Sequence, residues 1–336
     1  MILLSVIIPA YNAEKYITRC LDSVFQSKSL KLECVVINDG SVDKTEEILK
    51  KYSQKEKRLR FKSISNGGVS NARNVGINEA KGKKIIFLDA DDYFLDKAID
   101  TIMQLAEDES QLVIFNHIET YQRTEKKAIP ENLIKDDKTT NFRFVINELC
   151  LKKLYMNSCC AKIYNRDIII SNKILFPVSL KFAEDACFVM EYVKVIQKLK
   201  YINEPVFAYR MHGNNTIEHF SLDRLDAYEI EMSKRLNLAS FLKEEDLDKD
   251  ILKKYFEMVL FFYVAYSKQK TLYALYKDVK MTKQKKFVVS LLDELCIRDI
   301  NGLRKVLFFL LKYNPALFSI IIKFLSYIRT IKRSFK

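Results

Sequence analysis

The 336-residue chain has no tryptophan and only three histidines. Its seven cysteines (Cys20, Cys34, Cys150, Cys159, Cys160, Cys187 and Cys296) show no C-x-x-C spacing, which argues against a zinc site, and they are too sparse for a disulfide scaffold. They read as reduced thiols of a cytoplasmic protein. No stretch reaches the roughly 18 uninterrupted apolar residues of a membrane span. The apolar start, MILLSVII, lacks the basic flank of a secretory leader and runs straight into a turn, so it reads as a first strand. Neither G-x-G-x-x-G nor a P-loop is present, which leaves dinucleotide and P-loop ATP chemistry without support. There is no internal repeat and no low-complexity segment. What remains is an ordinary globular composition, 49% hydrophobic and 29% charged, enough for one large domain with an appendage or for two domains. The balance of 56 Lys and Arg against 43 Asp and Glu gives +13. That surplus suits nucleic acid, an anionic membrane or phosphorylated ligands, and charge alone does not choose among them.

Short apolar runs at 3–8, 32–38, 58–64 and 83–88 alternate with helix-period segments near 13–27, 43–56, 70–81 and 95–107. This βα series predicts an α/β fold with a mainly parallel sheet covered by helices. Residues 111–121 read as a further strand and 122–141 as a polar, lid-like excursion. The stretch 142–210 is mixed, with a helix near 184–197 and a strand near 205–210. From about 220 onward helical periodicity takes over, at 221–243, 248–267, 270–278, 283–296 and 301–333. The expected division is a domain over 1–218 and a helical region over 219–336.

In an open parallel sheet, ligands bind beyond the carboxyl ends of the strands. The four strands are followed there by PAYN (9–12), DGSVD (39–43), NGGVSNARN (66–74) and DADD (89–92), so all four segments can build one site. Plainer readings exist: PAYN as a turn with Asn12 as a helix N-cap, and DGSVD as a tight turn with Ser41 or Asp43 capping. The paired glycines of the third segment let backbone approach a ligand closely, and Arg73 follows on the first turn of a helix. DADD ends a buried strand with Asp89, Asp91 and Asp92. Two such charges about 4 Å apart repel by about 4 kcal/mol at an effective dielectric of about 20, so a positive group belongs nearby. Carboxylates at i and i+2 are hard oxygen ligands suited to Mg²⁺ or Mn²⁺ and to the phosphates those ions bind. An acid-decorated helix start would explain one or two of them, less readily all three.

In this order and spacing, SVIIPAYN, VINDGSVDKT, NGGVSNARNVGI and FLDADD resemble the nucleotide-sugar-dependent glycosyltransferases of family 2, over residues 3 to about 216. The resemblance implies the GT-A fold, a Rossmann-like sheet with helices on both faces, and inverting transfer from a UDP-sugar assisted by Mn²⁺ or Mg²⁺. It puts Pro9, Tyr11, Asn12, Glu14 and Asp39 on the nucleoside, adds Asn66 and Ala90 to the donor set, and lets Arg73 help hold the donor. Asp89 would face the ribose and Asp91 would carry the ion. Asn38 departs from the pattern, since many members have a second aspartate there.

Further on, SLKFAEDACFVMEYV (179–193) resembles the family's acidic pair at a helix start. An inverting transfer needs a base for the acceptor hydroxyl, which makes Asp185 the candidate and Glu184 its neighbour; an acidic first turn is the plain alternative. Phe188, Val189, Tyr192, Val193 and Ile196 fall at helical spacing and are expected in the core. YRMHGNNTI (209–217) resembles the loop that closes over the donor diphosphate, with Arg210 and Thr216 meeting phosphate. His212 there is either a metal or phosphate ligand or a structural residue.

Residues 301–336 carry eight Lys or Arg and no Asp or Glu among dense apolar positions. They read as a basic amphipathic helix or helix pair that either lies in an anionic membrane surface or packs on its own domain or a second copy. The expected function is a bacterial glycosyltransferase acting on a glycan or lipid-linked acceptor in surface-polysaccharide or teichoic-acid synthesis. The rivals are a metal-dependent nucleotidyltransferase, which would want a basic nucleotide-activating loop where PAYN stands, and a non-catalytic basic scaffold. Nucleic acid is not an expected partner: its binding would want an aromatic-interleaved basic face rather than charge gathered in an apolar tail.

Overall fold

The computed structural model describes residues 1–121, 124–135, 138–210, 221–295, 300 and 302–334. The chain divides into two compact units, Met1–Gly213 and Asn214–Lys336.

The first unit is a mixed, largely parallel sheet of GT-A type. It opens with β1 (Leu4–Ala10), α1 (Ile17–Val24), β2 (Leu32–Asp39), α2 (Thr45–Lys55), β3 (Leu59–Ile64), α3 (Val69–Glu79) and β4 (Lys84–Phe87). β1 and β2 are buried along their whole length, as strands covered on both faces must be. The chain continues through β5 (Tyr93–Phe94), α4 (Ala98–Leu105), β6 (Leu112–Tyr121), β7 (Thr124–Lys127) and α5 (Phe142–Ile146). It ends with β8 (Lys162–Asn165), α6 (Arg166–Ser171), α7 (Glu184–Lys194) and β9 (Leu199–Arg210). The strand order is β3-β2-β1-β4-β8-β6-β9-β5, with β7 paired to β6.

β3, β2, β1 and β4 are mutually parallel, while β8 enters antiparallel between β4 and β6. Sequence patterning does not reveal β8, because only four residues pair and they run directly into α6. The polar excursion expected over 122–141 contains β7, which makes a hairpin with β6.

The close seat of α3 on the sheet has a visible cause in Gly76. A Cβ there would overlap the Ile7 side chain of β1. Gly76→Ala is therefore expected to cost about 1–3 kcal/mol through overpacking, measured as a lower urea midpoint, and to disturb Arg73 one turn earlier.

The second unit is helical: α8 (Asp223–Phe241), α9 (Asp248–Tyr266), α10 (Leu272–Thr282), α11 (Lys286–Glu294), α12 (Leu303–Tyr313) and α13 (Pro315–Ser334). Its core includes Tyr255, Phe256, Phe262, Phe308 and Phe318. A buried Arg235 bonds Glu231 one turn away at 2.8 Å and the Tyr255 hydroxyl at 3.1 Å, which offsets the cost of a charge inside the bundle. Over 301–333 the structure has two helices. Asn314 leaves helical geometry and its side chain accepts the Leu317 N–H, while Pro315 occupies the first helical position, where its missing donor costs nothing. Among the described residues six cysteines are buried and none is in a disulfide; Cys296 lies outside the described residues. Among those residues no helix is long and apolar enough to cross a membrane.

Candidate active site

The carboxyl ends of β1 and β2 and the β3–α3 loop enclose a hollow of about 320 Å³ lined by Pro9, Tyr11, Asp39, Asn66 and Gly68. Its back wall is built by hydrogen bonds. Asp39, nearly fully buried, accepts the Gly67 N–H at 2.8 Å and the Gly68 N–H at 2.9 Å, one on each oxygen, while the Asn66 amide donates to the Asp39 carbonyl at 3.0 Å. Gly68 sits at φ 84°, a left-handed backbone that favours glycine, and starts α3. Asn38 beside it is also buried. Its amide donates to Ser63 at 3.1 Å, which an aspartate could not do.

Asn12 and Glu14 lie on the β1–α1 loop and hold it to the loop before α2. The Asn12 side-chain oxygen accepts the Val42 N–H at 2.9 Å, and Glu14 accepts the Lys44 N–H at 3.1 Å. Thr45 and Asp43 return the contact by accepting the Ala13 and Glu14 N–H groups. These are ties between two loops that frame the hollow.

The second half of the site forms where β4 ends. Residues 89–92 turn back on themselves, the Asp92 N–H donating to the Asp89 carbonyl at 3.0 Å. This leaves Asp89 and Asp91 partly exposed, with Ala90 and Asp92 buried. A positive group does stand beside this turn: Arg73, in the second turn of α3, which meets Asp89. Its Nη2 donates to Asp89 Oδ1 at 2.8 Å, and its Nη1 donates to Asp185 Oδ1 at 2.5 Å and lies 3.4 Å from Glu184 Oε1. The Phe176 ring lies 5.3 Å from the guanidinium carbon, and Phe176 itself stacks on Phe188 with centroids 4.0 Å apart. One guanidinium thus joins acids from two distant parts of the chain. Burial opposes its charge, but the surrounding carboxylates, Asp185 foremost, outweigh that and raise its pKa.

Glu184 and Asp185 open α7, whose N-cap Ala183 is held at φ 62°, a strained conformation for a residue with a Cβ. Asp185 Oδ2 also accepts the Cys159 N–H at 3.2 Å. Glu184 is pushed up to about 7, first by burial and then by the charge of Asp185, against the pull of Arg73. Asp92 is raised well above the usual carboxylate range by burial and by Asp89 and Asp91. Its Oδ1 accepts the Arg210 N–H at 2.9 Å, and its Oδ2 is buried without a partner. The Arg210 guanidinium at the end of β9 lies over Tyr16 and Tyr93, 4.9 and 5.7 Å from their centroids. His212 and Thr216 lie outside the described residues.

Among the described residues no group of three or more His, Cys, Asp and Glu forms a ready metal cage. The donor set nevertheless fits a divalent ion shared with a ligand: Asp91 brings hard oxygens to the partly exposed rim of the turn, and Mg²⁺ and Mn²⁺ are commonly held by one or two carboxylates plus substrate phosphates. Sequence reasoning did not reach Asn74, Cys159 or Phe176. Asn74 exchanges two bonds with the Phe176 backbone, donating at 2.8 Å and accepting at 2.9 Å. Asn74 lies inside the NGGVSNARN segment, but the segment does not show that its side chain ties to residue 176; a backbone N–H and a phenylalanine in a loop carry no periodic or motif signal.

The Glycosyl transferase family 2 model matches residues 5–171. Over 218 residues the chain is 28% identical to the uncharacterized glycosyltransferase EpsJ of Bacillus subtilis, covering 64% of this chain and 63% of that protein. It is 29% identical over 213 residues to the poly(ribitol-phosphate) β-N-acetylglucosaminyltransferase TarS of Staphylococcus aureus, covering 62% of this chain and 35% of TarS. The crystal structure of S. aureus TarS 1–349 in complex with UDP superposes with a TM-score of 0.70 at 22% identity, over 98% of this chain and 92% of that one. A mannosyltransferase of Pyrobaculum calidifontis, solved with GDP-Man and Mn²⁺, superposes at 0.53 with 13% identity, over 96% and 86%. These two likenesses concern the fold.

Proposed function

For a chain that belongs to glycosyl transferase family 2, we propose inverting transfer of a sugar from a UDP-sugar to a hydroxyl of a glycan or lipid-linked acceptor, in the cytoplasmic steps of bacterial surface-polysaccharide or teichoic-acid synthesis. We assign the catalytic domain to 1–218 and the helical domain to 219–336. The observation that carries this reading is the Arg73 junction, which holds Asp89 and the Glu184–Asp185 pair together beside the hollow at the sheet edge.

In this reading the hollow between Tyr11, Asp39 and Asn66 receives the nucleobase and ribose, with Pro9 and Ala10 as its floor. Asn12 and Glu14 act at one remove, by fixing the loops that frame it. Asp89 would meet the ribose, and Asp91 with His212 would hold the ion. A bound Mn²⁺ or Mg²⁺ would neutralise the departing diphosphate. Arg210 and Thr216 contribute on the phosphate side. Asp185 takes the proton of the acceptor hydroxyl as its oxygen bonds the anomeric carbon and the sugar–phosphate bond breaks. The tie from Asp185 to Arg73 and the Cys159 N–H sets the direction of that carboxylate, and so keeps base and donor in line.

Thermal unfolding with UDP, with and without Mn²⁺, tests the reading. The unfolding temperature is expected to rise with UDP and to rise further when Mn²⁺ is added. Indifference to every nucleoside diphosphate, with and without the metal, would overturn it.

A further inference from the structure

α12 and α13 carry an apolar face that the packing of their own unit does not use. Leu307, Phe308 and Leu311 of α12 and Phe318 and Ile322 of α13 turn into the core. Val306, Phe309 and Tyr313 of α12, and Ile320, Phe324 and Tyr327 of α13, are each 50–63% exposed. Their spacing of three or four residues gives each helix an outward stripe. A shallow hollow of about 330 Å³ beside Lys305, Val306 and Phe309 has an apolar surface.

Within the segment itself the charge has one sign. Residues 301–336 hold eight basic residues and no acidic one. Three of the eight serve the fold: Arg304 pairs with Glu257, Lys312 with Asp293, and Lys323 donates to the Ser267 and Lys270 carbonyls. Lys305 is exposed on α12, and Arg329, Lys332, Arg333 and Lys336 are the remaining basic positions of the sequence there. A second copy of the same face would bring basic charge against basic charge. An anionic lipid surface complements both the stripe and its charge, and neither helix need cross the bilayer to use it.

We propose that the outward face of α12 and α13 docks the helical unit on the surface of an anionic bilayer. The inference rests on these helices alone and is independent of the transfer chemistry.

The full chain is tested by flotation with vesicles of phosphatidylcholine, alone and mixed with phosphatidylglycerol. It is expected to rise with the mixed vesicles, to stay behind with phosphatidylcholine alone, and to detach as salt is raised. The double variant Phe309→Ser and Phe324→Ser removes two exposed rings, so its circular dichroism and unfolding temperature should match those of the parent. Its partitioning should fall by at least about tenfold. Equal partitioning of the double variant, or equal binding to both vesicle types, would overturn the proposal. So would absent vesicle binding together with self-association that the same two substitutions abolish in sedimentation velocity, which would assign the face to a second copy.

Discussion

Replacing Arg73 by methionine is expected to lower stability by about 3–5 kcal/mol, because a buried ion pair that loses one partner leaves uncompensated charge behind. Three carboxylates are involved here, all tied to a guanidinium whose side chain is only 4% exposed. Methionine fills much of the same volume, so the loss is electrostatic rather than a cavity effect. The deficit should shrink as pH falls and the stranded acids take up protons, which urea denaturation at pH 5 and pH 7.5 would reveal. Arg73→Lys is expected to rescue little, since both Nη groups are engaged in different directions and a single ammonium cannot reproduce that fork. Turnover should be lost in both variants.

Asp185→Asn is the second large effect. The amide oxygen can still accept the Cys159 N–H, but the group no longer takes a proton, and the rate is expected to fall by about a hundred- to ten-thousand-fold. Affinity for UDP, measured by calorimetry, should stay close to that of the parent, because the hollow is built by other residues. Glu184→Gln provides the contrast through pH. A carboxyl raised to about 7 holds its proton more tightly in the folded chain than in the unfolded one. The stability it contributes is therefore complete below the ordinary carboxylate range and declines as pH rises toward 7. Glu184→Gln should flatten that decline while retaining much more activity than Asp185→Asn. A larger rate loss in Glu184→Gln would move the base to Glu184.

Much of the first unit could be read from sequence because its signals are local. Apolar runs of strand length alternate with amphipathic segments, and the residues after each strand are odd enough to mark the ligand edge. The need for a positive group was equally legible, since three acids after Leu88 cannot stand unopposed. Its source was harder to see. Arg73 carried an expected role on the donor, and its contact with Asp185 spans 112 positions, a separation over which no periodicity reports. β8 stayed hidden for a related reason: a four-residue strand is defined by its neighbours β4 and β6 rather than by its own pattern. In the second unit the helices were legible, with a helix pair as one reading of 301–336; the place of the break rests on the Asn314 side chain, which caps the second helix.

The reciprocal bonds between Asn74 and the Phe176 backbone join positions 102 residues apart, and this has a consequence in time. During synthesis Arg73 is made long before the acids of α7 exist, so for that interval Asp89 is the one carboxylate of the junction available to it. The site comes together only after the chain has passed residue 185, in a late, long-range closure of the kind that slows folding. An unfinished chain would thus carry the donor-side loops without the means to use them.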